Sequence, residues 1–434
     1  MEFQSDNGIK YKIIKQIGEG GQGYVLKVED ENFNHFALKV YKEKHQIDTQ
    51  KNIIKSLVGH KPKSNNRDIE FIWPIDTIDS ISKYFGYVMP LYDNKQYIHY
   101  NKVINQRIKA PTLKSLAYLS LLTVEALHSI HKNGMAYCDI NMGNIQFDLQ
   151  HNKIVVCDND NVVLNNSDVN ILGVPEFMAP EVALGKSKPN NISDLYSLSI
   201  LLYTLWFYEH PMEGKKIEDI KCWDLVAKKK FYHKEPLFVH HPTNKVNSIE
   251  NMLLYQLSYA RWKVFAPRRM KEEFTKTFTE GITQPQRRTK TSSWRKLFIE
   301  IMSNTINCPA CGTENIFDPD GDLKYCAKCK KEFPPYSYLD INQLGSHMRL
   351  VITEGQSIFP YHFGDYTDIN SQKPLGIIEK HPKKQGAFII RNLSSKDWDY
   401  EIEDKKYKIE PQKARAIINH SKLVIDGVIL YIKI

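Results

Sequence analysis

Up to Pro90 the chain alternates short apolar, β-prone runs with turn residues, and one helical stripe interrupts them. In the segment Gln46–Val58 the apolar residues Ile47, Ile54 and Leu57 fall on one face at helical spacing, which predicts a helix. Short strands are predicted around it at Tyr11–Ile17, Phe36–Val40 and Tyr84–Val88. This part of the chain is therefore expected to consist of short strands with one helix between them.

A long apolar stripe at helical spacing follows between residues 112 and 131, and Gly134 supplies a stop signal after it. The stripe consists of Leu113, Leu116, Leu119, Val124 and Leu127. It predicts a long helix at the core of a second region. Further on, Ile154–Val156 predicts a short strand that ends just before Asp158.

After Pro334 and Pro335 the pattern changes to short β-prone runs that are broken by glycine and asparagine. The runs lie at Met348–Thr353, Ala387–Leu393, Asp399–Ile402 and Leu423–Ile434. Their lengths and spacing favour a β-sandwich as the simplest arrangement.

Composition narrows the class of protein. A length of 434 residues is too great for a single core and suggests two or three domains. The chain is 42% hydrophobic and 25% charged, which is typical of folded domains. The formal charge of +9 could favour acidic partners, but over this length it usually reflects a solvated surface.

The sequence predicts neither a leader peptide nor a membrane span. The N-terminus lacks a charged start followed by an apolar run, and the longest apolar stretch, Leu195–Phe207, is too short to cross a bilayer. We therefore expect a cytoplasmic protein that does not associate with a membrane.

Four of the seven cysteines form two CxxC pairs, which favours metal binding in a reducing compartment over disulfides. The pairs are Cys308, Cys311, Cys326 and Cys329. Their spacing predicts a tetrahedral, structural Zn²⁺ site in a ribbon too small to have its own core. The nearby Lys328, Lys330 and Lys331 would allow nucleic-acid binding, but an interdomain or protein-binding module is the preferred interpretation.

A glycine turn and a strand lysine near the N-terminus predict a phosphate site. Gly18, Gly20 and Gly23 form a G-x-G-x-x-G turn that is followed by a strand, whereas a dinucleotide site would have a helix there. Such a turn lets backbone N–H groups cover nucleotide phosphates. Lys39, on a strand beside Ala37, would bring a positive charge to the α and β phosphates, although a solvated strand-edge lysine is the plainer alternative.

Three polar residues downstream fit the same chemistry. Asp139 is suited to accept or orient a hydroxyl proton, Asn144 to hold a metal between phosphates, and Asp158 to be the principal Mg²⁺ ligand. An aspartate in a loop is by itself mostly turn chemistry. The ordered set, with its spacing, is what predicts phosphoryl transfer.

From about residue 8 to 300 the chain resembles the eukaryotic-like serine/threonine protein kinases. Gly173–Glu181 matches the family's segment before its core helix, and Asp194 matches the acid that orients the catalytic loop. The resemblance implies that Glu181 pairs with Arg287. It also implies a nucleotide site that includes Val25, Ala37 and the hinge residues Met89 and Leu91.

The resemblance implies an α+β, bilobal protein-kinase fold that uses ATP and Mg²⁺. The kinase domain would span residues 1–302, with an N-lobe at about 8–90 and a C-lobe at about 91–302. A zinc ribbon at 303–335 and a β-sandwich at 336–434 would follow. The segments Asn392–Ser394, Ile409–Pro411 and Asp426–Val428 give that last domain a faint similarity to forkhead-associated domains, without the arginine and serine that bind phosphothreonine.

A narrower resemblance concerns Asp139–Asn141 together with Asp158–Asp160. These two segments are similar to those of bacterial kinases that carry a zinc ribbon and are associated with a von Willebrand A protein and a PP2C-type phosphatase. Such partner proteins, or a protein substrate, are therefore expected, and a nucleic-acid partner is not.

Several residues depart from the family pattern. The predicted helix offers Gln50 and Lys51 where a glutamate should pair with the strand lysine, so a weaker hydrogen bond is expected in place of that ion pair. Asn141 and Val174 replace a lysine and a threonine that normally contact each other. Cys138 replaces the arginine that binds a phosphorylated activation loop, which predicts activity without that phosphorylation.

Asn159 and Asp160 replace the phenylalanine and glycine after the metal-binding aspartate, and Asp160 is either a second metal ligand or a turn cap. The leading interpretation is an ATP- and Mg²⁺-dependent serine/threonine protein kinase. A pseudokinase scaffold stays open because of the missing glutamate, Asn159 and Gln146, and a small-molecule kinase is the other alternative.

Overall fold

The computed structural model describes residues 2–42, 48–64, 66–81, 84–165, 173–318, 321, 323–343, 346–366, 369, 372–403 and 405–433. The fold is α+β. Ile47 of the predicted helical stripe and Ile434 of the last predicted strand lie outside these residues.

The N-terminal region is built on a six-stranded antiparallel sheet with the order β1-β2-β3-β4-β7-β6. The N-terminal strands are β1 (Glu2–Gln4), β2 (Lys10–Glu19), β3 (Gly23–Asp30), β4 (His35–Tyr41), β5 (Ile69–Phe71), β6 (Asp76–Ile81) and β7 (Tyr84–Pro90). Strands β2, β4 and β7 occupy the predicted positions. A single helix, α1 (Asp48–Leu57), buries Ile53, Ile54 and Leu57, as the apolar stripe requires.

The second region is mostly helical. Its helices are α2 (Asn101–Ile104), α3 (Leu113–Lys132), α4 (Pro180–Ala183), α5 (Asn191–Phe207), α6 (Leu225–Lys229), α7 (Gln256–Phe265), α8 (Arg268–Phe278), α9 (Glu280–Thr283) and α10 (Thr291–Ser303). The Thr112 side chain caps the N-terminus of α3, which is buried along most of its length. Helix α5 is also buried on nearly all sides and begins with a capping box between Asn190 and Ser193.

Short strands connect the two regions. They are β8 (Met135–Ala136), β9 (Ile145–Asp148), β10 (Lys153–Val156) and β11 (Val163–Leu164). Strand β10 pairs antiparallel with β9 and parallel with β5 from the N-terminal region. This small sheet joins the two regions, and β8 pairs antiparallel with β11, the strand that follows the residues after β10.

The C-terminal residues form a hairpin and two further sheets. The strands are β12 (Thr305–Asn307), β13 (Glu314–Ile316), β14 (Tyr338–Gln343), β15 (Ser346–Val351), β16 (Ser357–Ile358), β17 (Gly376–Lys380), β18 (Phe388–Asn392), β19 (Trp398–Ile402), β20 (Lys405–Ile409), β21 (Ala414–Ala416), β22 (Lys422–Ile425) and β23 (Val428–Lys433). Their orders are β15-β14-β23-β22-β19-β20 and β16-β17-β18-β21. The Trp398 ring packs on Gly376, where a Cβ atom would lie 2.4 Å from Cη2, so the two sheets contact each other through their faces.

The sequence patterns missed several of these strands. The predicted runs correspond to β15, β18, β19 and the hairpin of β22 and β23, whereas β14, β17 and β20 carry charged residues that weaken the apolar alternation. Strand β14 nevertheless pairs with both β15 and β23, because its alternate residues Leu339 and Ile341 are buried. No helix among the described residues is long and apolar enough to span a membrane.

The C-terminal part is joined to the helical region through the end of α10. Asn304 donates to the carbonyl of Arg349 and accepts from the backbone N–H of Val351, both at 2.8 Å. Ser303 hydrogen-bonds the buried His362 at 2.9 Å. Because Ser303, Asn304 and His362 are buried, the sheets are docked against the helical region and do not merely follow it along the chain.

Candidate active site

The glycine turn lies between β2 and β3 above an open cavity of about 700 Å³. Gly18, Val25, Ala37, Met89 and Leu91, all predicted nucleotide contacts, line this cavity. Its position between the glycine turn and the strand that enters the helical region suits an adenine nucleotide.

The other two predicted glycines do not line the cavity, and they differ from each other. Gly20 has nothing within 4 Å of a hypothetical Cβ, so the tip of the turn is open. At Gly23 a Cβ atom would lie 2.3 Å from the carbonyl oxygen of Val40, so any side chain there would clash with strand β4. Gly23 therefore allows the turn to approach the strand that bears Lys39.

Lys39 is buried on β4, and its ammonium group lies 2.6 Å from Asp160 Oδ2 and 3.6 Å from Asp158 Oδ1. Gln22 of the glycine turn accepts a third contact from Lys39 at 3.1 Å. Burial acts to lower the pKa of Lys39, but the carboxylates of Asp160 and Asp158 outweigh it and raise that pKa. The lysine is thus held as a cation beside the predicted metal ligand.

The expected hydrogen bond between Gln50 and Lys39 does not form. Gln50 of α1 instead donates to the backbone carbonyl of Asp160 at 2.9 Å and to the Tyr41 hydroxyl at 3.4 Å. The lysine takes its counter-ion from the segment after β10, because Asp160 is fully buried beneath it.

The segment after β10 turns sharply at Asp158, which has a left-handed backbone with φ of 48°. This turn exposes the Asp158 side chain and leads into a short 3₁₀ helix at Asn159–Asn161. Asn159 is buried and donates to the carbonyls of Ile72 and Val156, both at 2.8 Å. It therefore attaches this segment to the small sheet by hydrogen bonds, at a position where the family pattern has a phenylalanine.

Both carboxylate oxygens of Asp139 are held by N–H donors. Oδ1 accepts from Asn141 Nδ2 at 3.0 Å and from the backbone N–H of Val174 at 3.2 Å. Oδ2 accepts from Asn144 Nδ2 at 3.1 Å and from Asn161 Nδ2 at 3.3 Å. Burial raises the pKa of Asp139, and the hydrogen bonds from Asn141 and Asn144 oppose that rise.

These contacts show what Asn141 and Val174 do at the positions where the family pattern has a lysine and a threonine that contact each other. Asn141 holds Asp139 through its amide and accepts from the backbone N–H groups of Gly143 and Asn144 at 2.8 and 3.2 Å. Val174 contributes its backbone N–H in place of a side-chain hydroxyl. The segment that begins at Gly173 thus contacts the aspartate directly.

Asp194 holds the backbone of the loop that presents Asp139. Its carboxylate accepts from the N–H of Tyr137 at 2.8 Å, from the N–H of Cys138 at 3.0 Å and from the His131 ring at 2.9 Å. Cys138 has a left-handed backbone with φ of 67°, an uncommon conformation for a non-glycine residue. The hydrogen bonds that Asp194 accepts from Tyr137 and Cys138 offset the energetic cost of that backbone conformation.

Asn144 and Asp158 lie on adjacent segments, because the N–H of Cys157 donates to the carbonyl of Asn144 at 2.8 Å. Asn144 also donates to the carbonyl of Asp139 at 2.8 Å, and within the described chain its Oδ1 accepts no hydrogen bond. Asp158 is exposed and offers two hard oxygen atoms. Mg²⁺ prefers such oxygen donors together with substrate phosphates, so the residues fit that ion.

Glu181 pairs with Arg288, and the expected pairing with Arg287 is wrong. The guanidinium of the fully buried Arg288 forms two bonds of 2.7 Å to Glu181 and donates to the carbonyls of Gly281 and Ile192. Arg287, one residue earlier, is exposed and lies 3.3 Å from Glu280. Adjacent arginines at the end of a 3₁₀ turn point in different directions, and the sequence alone could not distinguish them.

The four predicted zinc ligands come together in the hairpin region. All four Sγ atoms lie within 4.8 Å of one another, with 3.7 Å between Cys308 and Cys329 and 3.6 Å between Cys311 and Cys326. A tetrahedral Zn²⁺ with bonds of about 2.3 Å separates its sulfur ligands by about 3.8 Å, so the cluster fits this ion.

Two carboxylates near this cluster accept hydrogen bonds from the first residues of two helices in the second, mostly helical region. Glu314 accepts from the backbone N–H of Leu113 at the start of α3. Asp318 accepts from the N–H of Arg268 at the start of α8, at 2.9 Å. Carboxylates at helix N-termini satisfy free N–H groups and oppose the helix dipole, so the hairpin stabilises two helices.

Sequence reasoning missed Gln22, Tyr41 and Asn161 as members of the site. Tyr41 donates its hydroxyl to Asp160, and Asn161 donates to Asp139. Asn161 could have been found, since it lies three residues after Asp158. The position of Tyr41, two residues after Lys39 on the same strand face, was the other available signal.

Comparison with known families now adds an independent finding. The model of the protein kinase domain matches residues 11–294 of this chain, which is more than half of its length. The matched range contains the glycine turn, Lys39, Asp139, Asn144 and Asp158.

Curated proteins give a consistent but partial match. The chain is 27% identical to the cell cycle serine/threonine-protein kinase CDC5/MSD2 of Saccharomyces cerevisiae, over 48% of this chain and 30% of that protein. It is 29% identical to protein kinase C of Aspergillus fumigatus, over 32% of this chain and 12% of that protein. A probable CDC5 homolog of Encephalitozoon cuniculi is 25% identical over 49% of this chain and 44% of its own length. The chain thus spans less than half the length of these relatives.

Proposed function

The chain belongs to the protein kinase domain family, and from this premise we propose that it transfers the γ-phosphoryl group of ATP to serine or threonine hydroxyls of a protein. The observation that supports this most is the Asp139 carboxylate, which four N–H donors orient beside Asn144. A fixed carboxylate at this place can accept a hydroxyl proton.

In this proposal the substrate hydroxyl oxygen bonds to the γ-phosphorus while the bond from that phosphorus to the β-γ bridging oxygen breaks. Asp139 takes the hydroxyl proton, and ADP leaves. Lys39 and the glycine turn orient the phosphates, and Val25, Ala37, Met89 and Leu91 enclose the adenine. Asn144 and Asp158 would hold Mg²⁺, which would supply positive charge to neutralise the phosphates.

The test is incubation of purified protein with labelled ATP, Mg²⁺ and a generic protein substrate, followed by phosphoamino acid analysis. Labelled phosphoserine or phosphothreonine is expected with the native chain. Asp139→Ala should lose at least about a thousandfold in kcat while ATP still binds, because orientation and proton transfer are removed together. Asp158→Ala should abolish the Mg²⁺-dependent part of ATP binding.

Two other outcomes would replace this proposal. ATP binding without any turnover would favour a pseudokinase scaffold, for which the supporting observation is the polar Gln146, whose amide donates at 2.9 Å to the hydroxyl of the cavity-lining Tyr92. Labelled metabolite without labelled protein would favour a small-molecule kinase. Retained phosphorylation in Asp139→Ala would contradict the assigned residue.

We further propose that activity does not require activation-loop phosphorylation. Cys138, which replaces the usual arginine, is a half-buried thiol, and a thiol carries no positive charge in either protonation state, so it cannot pair with a phosphate as an arginine does. Residues 166–172 of that segment lie outside the described residues. Phosphatase treatment should leave the specific activity unchanged, and a loss of activity after treatment would refute this.

The four-cysteine cluster is proposed to bind one structural Zn²⁺ per chain. Cys308, Cys311, Cys326 and Cys329 would all be ligands, which leaves no open position for catalysis. Metal analysis should find one zinc in the native chain and in the control Cys222→Ser, whose exposed thiol lies outside the cluster, but much less in Cys329→Ser. Equal zinc in all three proteins would disprove the site.

The domain scheme and the partners are likewise proposals. We propose a kinase domain at 1–302, a zinc ribbon at 303–335 and a forkhead-associated-like β-sandwich at 336–434, supported by the hairpin next to the cysteines and the two contacting sheets. A bacterial type of partnership, with a von Willebrand A protein and a PP2C-type phosphatase, is proposed from the resemblance of Asp139–Asn141 and Asp158–Asp160, and a cytoplasmic location is proposed from the sequence pattern. Copurification of tagged chain with such proteins would test it.

A further inference from the structure

Lys39 has a counter-ion that does not come from helix α1. Asp160, fully buried, places Oδ2 2.6 Å from the lysine nitrogen, whereas the next carboxylate, that of Asp158, lies 3.6 Å away and is half exposed. Asp160 takes no part in the phosphoryl transfer described above. A buried carboxylate is expected to have a charged partner, because an ion in the protein interior is costly unless it is paired. For Asp160 that partner is Lys39.

We propose that Asp160 is the positioning residue for Lys39, and that it performs from the metal-binding segment the task that a carboxylate on α1 would otherwise perform. This inference rests on the proposed function for its kinetic consequences, but the ion pair itself does not depend on that function.

Two hydrogen bonds and a backbone turn fix Asp160 in this role. The Tyr41 hydroxyl donates to the same oxygen that Lys39 contacts, so two donors converge on Oδ2. Gln50 Nε2 holds the backbone carbonyl of Asp160 at 2.9 Å. The residue also lies in the 3₁₀ turn Asn159–Asn161, so its backbone is fixed on both sides. Each of these contacts orients the carboxylate toward β4.

Helix α1 is held by other means, as expected if it does not position the lysine. Lys51 and Lys55 lie 3.0 and 2.9 Å from Asp79 on strand β6, and Lys55 also lies 3.5 Å from Asp6. These pairs are partly exposed and join the helix to the edge of the sheet. Gln50 is the residue of α1 that reaches Asp160, and it does so through an uncharged amide.

The arrangement has a consequence for the metal site. With Asp160 in place, Lys39 has a close partner and Asp158 is left exposed to bind Mg²⁺ together with Asn144. Without Asp160, the nearest carboxylate to Lys39 would be Asp158, and a tight pair between them would compete with the metal. Asp160 thus separates the lysine that binds phosphate from the aspartate that binds metal.

The experiment compares native chain, Asp160→Asn, the double variant Gln50→Glu with Asp160→Asn, and the control Asp79→Asn. Asp160→Asn keeps the shape and removes the charge, so kcat/KM for ATP should fall about tenfold or more, mainly through KM. The double variant places a carboxylate on α1 beside the Tyr41 hydroxyl, which is the second donor to Asp160, and should recover part of the loss. Asp79→Asn removes a surface partner of α1 and should change kcat/KM by less than about threefold.

A second measurement does not need phosphotransfer. The rate at which an amine-acylating reagent modifies Lys39, followed by mass spectrometry relative to Lys10 of the same chain, reports how firmly the ammonium is held. It should rise several-fold in Asp160→Asn, should fall again in the double variant and should stay unchanged in Asp79→Asn.

The two measurements separate failure of the inference from failure of the proposed function. If the native chain transfers no phosphate but Lys39 labelling rises as stated, the ion pair stands and the kinase proposal fails. If the native chain is active and Asp160→Asn changes neither labelling nor kcat/KM, the inference is wrong. A kinetic loss in Asp160→Asn without a rise in Lys39 labelling, in a protein with native thermal stability, would also overturn it.

Discussion

At the residue scale, several polar contacts of this site are made by residues other than those that the family pattern predicts. Asn141 and the backbone of Val174 together replace a lysine and threonine contact, and both now bond to Asp139. Glu181 keeps its buried arginine but takes it from position 288. In each case the group that needs a partner is retained, because an unpaired buried charge costs more than a change of donor.

The choice between adjacent arginines gives a sharp test of stability. Arg288→Met should lower the free energy of unfolding by about 3–5 kcal/mol, since it leaves Glu181 without its bidentate partner and frees two backbone carbonyls. Arg287→Met is the matched control and should cost less than about 1 kcal/mol, because its pair with Glu280 is exposed. Denaturant unfolding of both variants measures the difference, and similar losses in the two would refute the assignment.

The pH profile should report the burial of Asp139. Its pKa is raised by burial, so the carboxylate takes up a proton at a higher pH than an exposed aspartate, for which the value is about 3.9. Because the ionised form is the proton acceptor, log kcat/KM should be constant at neutral pH and should fall as pH drops through that raised pKa.

Asn141→Ala should move this acid limb to still higher pH, since the bond from Asn141 is the largest interaction that lowers the pKa of Asp139. Initial rates across pH 4–8 for both proteins would measure the shift. An acid limb that moves to lower pH in the variant would contradict this account.

At the scale of elements, the segment at Gly173 and Val174 packs tightly against the loop that presents Asp139. At Gly173 a Cβ atom would lie 2.9 Å from Asp139 Oδ1 and 2.9 Å from the carbonyl oxygen of Cys138. The glycine is therefore needed for close approach of two loops, as Gly23 is for the approach of a turn to β4.

Gly173→Ala should displace the Asp139 carboxylate or Val174, and kcat should fall by about 10- to 100-fold because a small misplacement of reacting groups is costly. ATP binding and the thermal midpoint should change little, since the nucleotide cavity lies elsewhere. Single-turnover kinetics and calorimetric titration with ATP would separate the two effects. Unchanged kcat would show that the loops have room to move apart.

At the scale of the whole molecule, the C-terminal part is coupled to the catalytic region through buried hydrogen bonds. The Phe359 N–H donates to His362 Nδ1 at 3.0 Å, so His362 Nε2 carries the proton that faces Ser303 at the end of α10. The imidazole is therefore neutral and bonded on both nitrogens. Protonation would place a second N–H against a donor inside the interface.

This interface should weaken in acid. Burial lowers the pKa of His362 to about 3, whereas an unfolded histidine titrates near 6.5. Above pH 6.5 the residue makes no pH-dependent contribution, and as the pH falls below that value the unfolded state gains a proton that the folded state does not. Stability should then decline by about 1.4 kcal/mol per pH unit from this residue.

The measurement is denaturant unfolding between pH 7 and 5 for native chain and His362→Gln. In the variant the free energy of unfolding should decline less steeply as the pH falls, and the difference should correspond to the uptake of about one proton, because glutamine does not titrate. Equal slopes in the two proteins would show that His362 is protonated in the folded state or does not unfold in this transition.

The sequence by itself determined the elements whose signal is local. The stripe of α3, the turn at Gly18–Gly23 and the short strand before Asp158 depend on spacing and turn chemistry within a few residues. The order of Lys39, Asp139, Asn144 and Asp158 pointed to the family that the comparison shows. The CxxC spacing likewise places the two thiols of each pair together, because each pair forms one tight turn, and the fold then brings the two pairs to one cluster.

Only the tertiary structure decided which groups meet across long separations. The partner of Lys39 lies 121 residues away, and the choice of Asp160 over Gln50 depends on a left-handed turn at Asp158 that spacing does not reveal. The choice of Arg288, the strands of mixed polarity such as β20, and the docking of Glu314 on α3 have the same origin. These contacts are set by burial and direction in the folded chain, and neither is a property of a residue's neighbours in sequence.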